Sequence, residues 1–351
     1  IRMRLGTFLF GFSASFLGCT TELEDSGTES TDGTDTVQDD PPSDTGPSPL
    51  SDCAELEWRT EPELLLTNQL EVDEFCYQWN AIDGNLTIDL DGDEEDPIWE
   101  LDGISCLCEV TGDVEIFFIP GYSPDTSSPP PPHSSTDLEL PLLERIGGNL
   151  WVRDIWGLAQ LSFMSALEQV GGDFTLQGLD NLAGVSLAGL DTVGGTITVR
   201  ETPYLQSIEF SELSALGGLA IGSREEPGLD SLRKISTPRL PAIDGSVSII
   251  GARGLYLFEA AYLDHIGGNL SFQGTCTYAP DFPTLTAVGS LSLLGNCGID
   301  SLDGLPLTNI SGANADGVSI HIAHNEGLSQ EAIDGFLTGL TSVGSGTVSG
   351  F

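Results

Sequence analysis

Apolar and polar residues alternate through a short phrase that recurs along the chain. It reads "IGGNLWV" from Ile146, "VGGDFTL" from Val170, "VGGTITV" from Val193 and "IGGNLSF" from Ile266, with looser copies "IDGNLTI" from Ile82 and "VTGDVEI" from Val110. Period-two alternation predicts a strand with one buried face. The apolar residue opening each phrase falls at Ile82, Val110, Ile146, Val170, Val193, Leu216, Ile243, Ile266, Val288 and Ile310. Successive spacings are 28, 36, 24, 23, 23, 27, 23, 22 and 22 residues. A period near 23 is the mark of a solenoid, in which each coil covers its neighbours' apolar edges. Stacking the coils lays the strands side by side as a parallel sheet. Leu-rich stretches such as "LDNLAGVSLAGLDTV" supply the other sides of each coil. The paired glycine ahead of each strand predicts a tight turn at positive φ. Leu216 and Val288 open shortened phrases, "LGGLAI" and "VGSLSL", where the pattern leaves the register open.

The same counting predicts which side chains face outward. One row is Thr87, Glu115, Trp151, Thr175, Thr198, Ser248 and Ser271; the next is Asp89, Phe117, Arg153, Gln177, Arg200, Ile250 and Gln273. Within them, Phe117, Trp151, Arg153, Gln177 and Arg200 gather aromatic, guanidinium and amide groups, types enriched at binding hot spots. The plainer reading is that Ser and Thr merely suit strands and that Trp151 packs under a neighbouring loop.

Charge narrows the partners. The chain carries 54 acidic and 11 basic residues, a formal net charge of −43, and Lys234 is its single lysine. Nucleic-acid binding requires cations that displace counterions from phosphates, and this composition excludes it. Anionic lipid headgroups should repel the chain as well. Against that background, the arginine pair Arg153 and Arg200 in one outward row stands out.

The first residues read as an export signal. Arg2 and Arg4 precede an apolar run, residues 5–18, that ends at Cys19 and is short for a bilayer span. "FLGC" resembles the lipobox of bacterial lipoproteins, with Phe16 where Leu is usual; the resemblance implies a signal peptide over 1–18 and lipidation of Cys19. An ordinary secretory signal is the alternative. Residues 20–50 hold nine acidic residues and no basic one. Such a segment cannot bury enough apolar surface to fold, so 19–52 is expected to be a disordered, self-repelling tether. Thr20 after the cysteine implies, by resemblance to Gram-negative lipoproteins, the outer membrane or cell surface as the location.

"CYQWNAIDGNLTI", residues 76–88, resembles the opening of a receptor L domain, a module related to leucine-rich repeats. "LSQEAIDGFLTGL", residues 328–340, resembles the terminal helical cap of bacterial lipoproteins with such repeats. The likeness covers 53–351 and implies a mainly β fold, a right-handed parallel β-solenoid with a short C-terminal helical cap. It places an N-terminal cap at 53–81 and a C-terminal cap at 326–351. The long interval between Val110 and Ile146 holds "PGYSPDTSSPPPPHSSTD", a proline-rich loop over 120–138 that should leave the solenoid.

Apart from Cys19 the chain has six cysteines, and an even number in an exported chain points to disulfides. Cys276 and Cys297 occupy nearly equivalent places on adjacent coils, so the register pairs them. Cys53 and Cys76 resemble the L-domain cap pair. Cys106 and Cys108 are left over to pair with each other, although the one-residue spacer strains such a bond.

Catalytic signatures are not found in the sequence. There is no G-x-S-x-G elbow, and His321 and His324 in "SIHIAHN" would point to opposite faces of a strand. His133 lies in the proline-rich stretch and His265 before a turn. Asp89, Asp91, Asp93 and Glu100 occupy positions 1, 3, 5 and 12 of a helix-loop-helix calcium loop, but Glu94 stands at the position of the required glycine. Calcium binding and a solvated acidic loop are therefore competing readings. No other cofactor is expected. The expectation is a non-enzymatic, lipid-anchored surface protein that recognises a protein or a glycan through its exposed sheet face. The alternative is a structural acidic envelope protein without a specific ligand. A third reading, a sugar-cleaving enzyme on a β-helix scaffold, needs paired carboxylates, and the two rows offer only Glu115 and Asp89.

Overall fold

The computed structural model describes residues 49–92, 95–118, 139–161, 164–223, 229–276, 280–344 and 346–349. Each recurring phrase is a strand, and each strand pairs in parallel with its counterpart in the coils before and after. The result is a parallel β-solenoid of about ten turns near 23 residues each. The phrase-opening residues, from Ile82 to Ile310, line up across the strands, and none is more than 3% exposed. Their stack is one side of a continuous aliphatic core. Five coils add a second, shorter parallel sheet, made by Gln160–Leu161, Gly184–Ser186, Ser207–Glu209, Lys234–Ser236 and Leu257–Glu259. The helix Gln330–Gly339 lies near the C-terminal end; Ser329 caps it by accepting the Ala332 N–H at 3.2 Å, and Ile333 is its buried anchor.

The shortened phrases keep register by local bulges. The ladder slips one residue between Val193 and Thr196 against Leu216, and again between Ile266 and Asn269 against Val288. Segment 53–81, expected as a cap, already contributes a rung: Trp58–Leu66 pairs with Ala81–Asp89, with a register shift between Thr60 and Glu63. Pro62 sits at that shift on the first described strand, whose other edge is unpaired among the described residues; a proline there blunts that edge. The proline-rich loop expected at 120–138, with His133, lies outside the described residues, as do the export signal, Cys19 and most of the acidic tether.

The paired glycines have a different cause from the one expected. Among the phrase glycines only Gly84 has a positive φ. What the others provide is room. A Cβ on Gly171 would stand 2.1 Å from the Gly147 carbonyl oxygen, and one on Gly172 would stand 2.3 Å from Asn149 Oδ1. The next polar residue of the phrase completes the design. Asp113, Asn149, Asp173 and Thr196 each donate a backbone N–H to the side-chain oxygen of the equivalent residue one coil earlier, at 2.7–2.9 Å. Coils pack backbone to backbone here, so the phrase recurs. Positive φ occurs instead at the corner after the strand, at Gly178, Gly222, Gly251, Gly274 and Gly295, and at the non-glycines Asp154, Glu201 and His324.

Two expected disulfides are corrected. Cys53 bonds Cys108 and Cys76 bonds Cys106, with Cα separations of 5.7 and 5.8 Å; the expected pairs Cys53–Cys76 and Cys106–Cys108 are not formed. The buried Asn80 side chain explains the route of the incoming chain. It donates to the Asp52 and Glu55 carbonyls and accepts the Glu57 N–H, while its own carbonyl accepts the Cys108 N–H. That holds residues 52–57 alongside Cys108. Cys276–Cys297 forms as the register requires.

Candidate functional site

The long sheet brings the predicted outward rows into line. Glu115, Trp151, Thr175 and Thr198 are direct cross-strand neighbours, as are Phe117, Arg153, Gln177 and Arg200. Ala220 fills the place in the first row that the shortened phrase left open, and Ser292 and His321 extend the row past Ser271. Phe117, Trp151, Arg153, Gln177 and Arg200 therefore share one face, on the strands Val114–Phe117, Leu150–Arg153, Phe174–Gln177 and Thr192–Arg200.

Their environments differ. Arg153 is held from three sides: Nε donates to Glu115 Oε1 at 2.6 Å, Nη1 lies 3.4 Å from Asp154 Oδ2, and the guanidinium sits 4.4 Å from the centre of the Phe117 ring. Phe117 is itself buried, and this arginine covers its ring in a cation–π contact. Arg200 is exposed, and its hydrogen-bond partner is an amide: Nη2 donates to Gln177 Oε1 at 2.6 Å. Gln177 in turn donates Nε2 to Glu201 Oε1 at 2.9 Å. Glu201 thus aligns the glutamine, and the glutamine aligns the arginine. Among the described residues no ion pair joins Arg200 to a carboxylate, while Arg59, Arg145, Arg153, Arg239 and Lys234 all have one.

Asp154 and Glu201 were not anticipated. Both occupy the left-handed corner that glycine fills in most coils, at φ 60° and 56°, a conformation costing a non-glycine about 1 kcal/mol or more. Both directly follow the arginines of the row, as "RD" and "RE". An acidic residue where the repeat calls for glycine was the available signal.

The calcium reading gains no geometry. The Asp89 carboxylate accepts the Asp91 N–H at 3.2 Å, a local turn contact, and the Glu100 backbone is bound by the Gln69 amide. Asp93 lies outside the described residues. Among the described residues no three His, Cys, Asp or Glu side chains gather as a metal site. His321 sits within the strand Val318–Ala323, and His324 at the corner just after it. No described helix is long and apolar enough to cross a membrane. Comparison with known proteins adds nothing to the geometry: no protein family, no curated protein and no solved structure matches this chain.

Proposed function

We propose that this chain is an exported, lipid-anchored binding protein that recognises a protein or glycan through the long-sheet face around Phe117, Trp151, Arg153, Gln177 and Arg200. One observation carries the reading. In a chain of net charge −43, Arg200 is exposed and oriented by an amide, with no carboxylate paired to it among the described residues. A guanidinium so placed presents its remaining donors to a carboxylate or acidic sugar, for which its fork geometry is matched. Arg153, over the Phe117 ring, and Trp151 one row over add a platform on the same face.

The anchor and the face are separately testable. Cys19→Ala should move the protein from the membrane fraction to the soluble fraction, because stable anchoring depends on acyl chains at about 0.8 kcal/mol per buried CH₂. Unchanged partitioning of the variant would reject the anchor and leave the face untouched.

A further inference from the structure

Among the described residues the second sheet ends at Leu257–Glu259, beside a cleft. Leu257–Glu259 pairs on one side with Lys234–Ser236; among the described residues, nothing pairs with its other side. The sequence explains why the sheet stops. The following coil brings "PDFP", Pro280 to Pro283, to this place, and proline has no N–H to donate to a ladder. Phe282 turns inward against Phe258, ring centres 5.1 Å apart, and its N–H goes to the Gly304 carbonyl one coil further on.

A cleft of about 790 Å³ remains between the edge strand and these coils, within the range of ligand sites. Its apolar wall includes Tyr256, Leu257 and Phe258, with Tyr256 60% and Leu257 39% exposed. Its rim carries Glu259, Asp281, Asp300 and Asp303, and no Lys or Arg is among the lining residues. Glu259 is engaged by Ser236 at 2.8 Å and faces Lys234 at 4.0 Å. The three exposed aspartates have no ion-pair partner among the described residues.

We propose that this cleft binds an extended basic peptide, which pairs its backbone with the open edge of Leu257–Glu259 and sets Lys or Arg side chains against Asp281, Asp300 and Asp303. Addition of a strand to an exposed edge is a known mode of peptide recognition, in which the backbone provides affinity and alternate side chains provide selectivity. Here alternate side chains of the guest meet the apolar wall and the acidic rim. The aliphatic stems of lysine or arginine suit Tyr256 and Leu257, and their charged heads suit the aspartates. The proposal is independent of the long-sheet face, which selects the opposite charge.

The test uses the intact chain and a fluorescent octapeptide of alternating Lys and Val, at 0.15 M salt, an ionic strength that screens charges beyond about 8 Å. Asp281→Asn, Asp300→Asn and Asp303→Asn combined should weaken binding at least about tenfold. A control removing three exposed charges elsewhere, Glu63→Gln, Glu74→Gln and Glu139→Gln, should change it less than about twofold, as expected for screened distant charges. An alternating Lys and Pro octapeptide, equal in charge but poor in N–H donors, should bind as weakly as the triple site variant behaves. Equal losses in the two triple variants would show attraction to net charge alone and overturn the proposal. So would failure of the wild-type chain to bind the Lys–Val peptide, or equal binding of the Lys–Pro peptide.

Discussion

The early and late coils share one backbone plan and fill it with different chemistry. From Val114 to Arg200 the inward position past the strand corner is aliphatic at Ile155 and Leu179 and polar at Thr202, while the outward rows carry Glu115, Trp151, Phe117, Arg153 and Arg200 among threonines and Gln177. From Val247 to Ala323 the balance shifts, with Ala252 the last apolar residue at the inward position. The outward row is Ser248, Ser271, Ser292 and His321, with Ser271 and Ser292 buried. Inside, Thr275, Asn296 and Asn325 form a polar ladder. Asn296 accepts from the Thr275 N–H and hydroxyl and donates to the Phe272 carbonyl and Asn325 Oδ1, all at 2.8–3.0 Å. The contrast teaches that stacking is determined by a few positions, the opening aliphatic and the glycine pair, and that the outward row is free to carry chemistry. The early coils use that freedom for an arginine and aromatic face; the late coils use the interior for rigidity.

The largest expected effect falls on what the two regions have in common. Gly171→Ala forces a Cβ against the Gly147 carbonyl at 2.1 Å, which the coil spacing cannot relieve locally. It should cost about 3 kcal/mol or more, as overpacking against backbone does. Gly335→Ala, in the helix where nothing lies within 4 Å of the new atom, should instead stabilise by up to about 1 kcal/mol. Urea unfolding of both variants checks the pair. Similar tolerance at the two glycines would remove close coil approach as the reason for the repeat.

A smaller effect separates the interiors. Asn296→Ala strands the Thr275 N–H and hydroxyl in a buried site and should cost about 2 to 3 kcal/mol. Asn149→Ala removes the bond from the Asp173 N–H and the Nδ2 donation to Asp113 Oδ1, both at the partly exposed strand entrance where water can replace them, and should cost about 1 kcal/mol. Denaturation midpoints at constant m-value are the readout. If the order reversed, the late polar ladder would not be the stiffer element.

How much of this was legible varies with the kind of interaction. Strand positions, coil length and the outward rows follow from period-two alternation and repeat spacing, so Trp151, Arg153, Gln177 and Arg200 could be placed on one face from sequence. The Cys276–Cys297 bond was legible for the same reason. The cap disulfides were not, because Cys53 reaches Cys108 only through the fold of residues 52–57 around Asn80, which no periodicity encodes. The glycine pair was visible, but its cause was not: the obstacle is the carbonyl of another coil. The pairing of Arg153 with Glu115 joins residues 38 apart, and only the register brings them together.

The most direct test of a binding face confined to the early coils compares Arg200→Ala with Ser248→Ala on the same long sheet. The probes are hexaglutamate and a uronic-acid oligosaccharide, titrated against the folded chain at 0.15 M salt. Wild type should bind at least one of them. Arg200→Ala should weaken that complex by about 2 kcal/mol, roughly thirtyfold, as removal of a hot-spot arginine does, with the unfolding midpoint nearly unchanged. Ser248→Ala should leave affinity within about twofold, as a contact outside the hot spot. Undiminished affinity in a folded Arg200→Ala variant, an equal loss at Ser248, or no binding of either acidic probe would contradict the account.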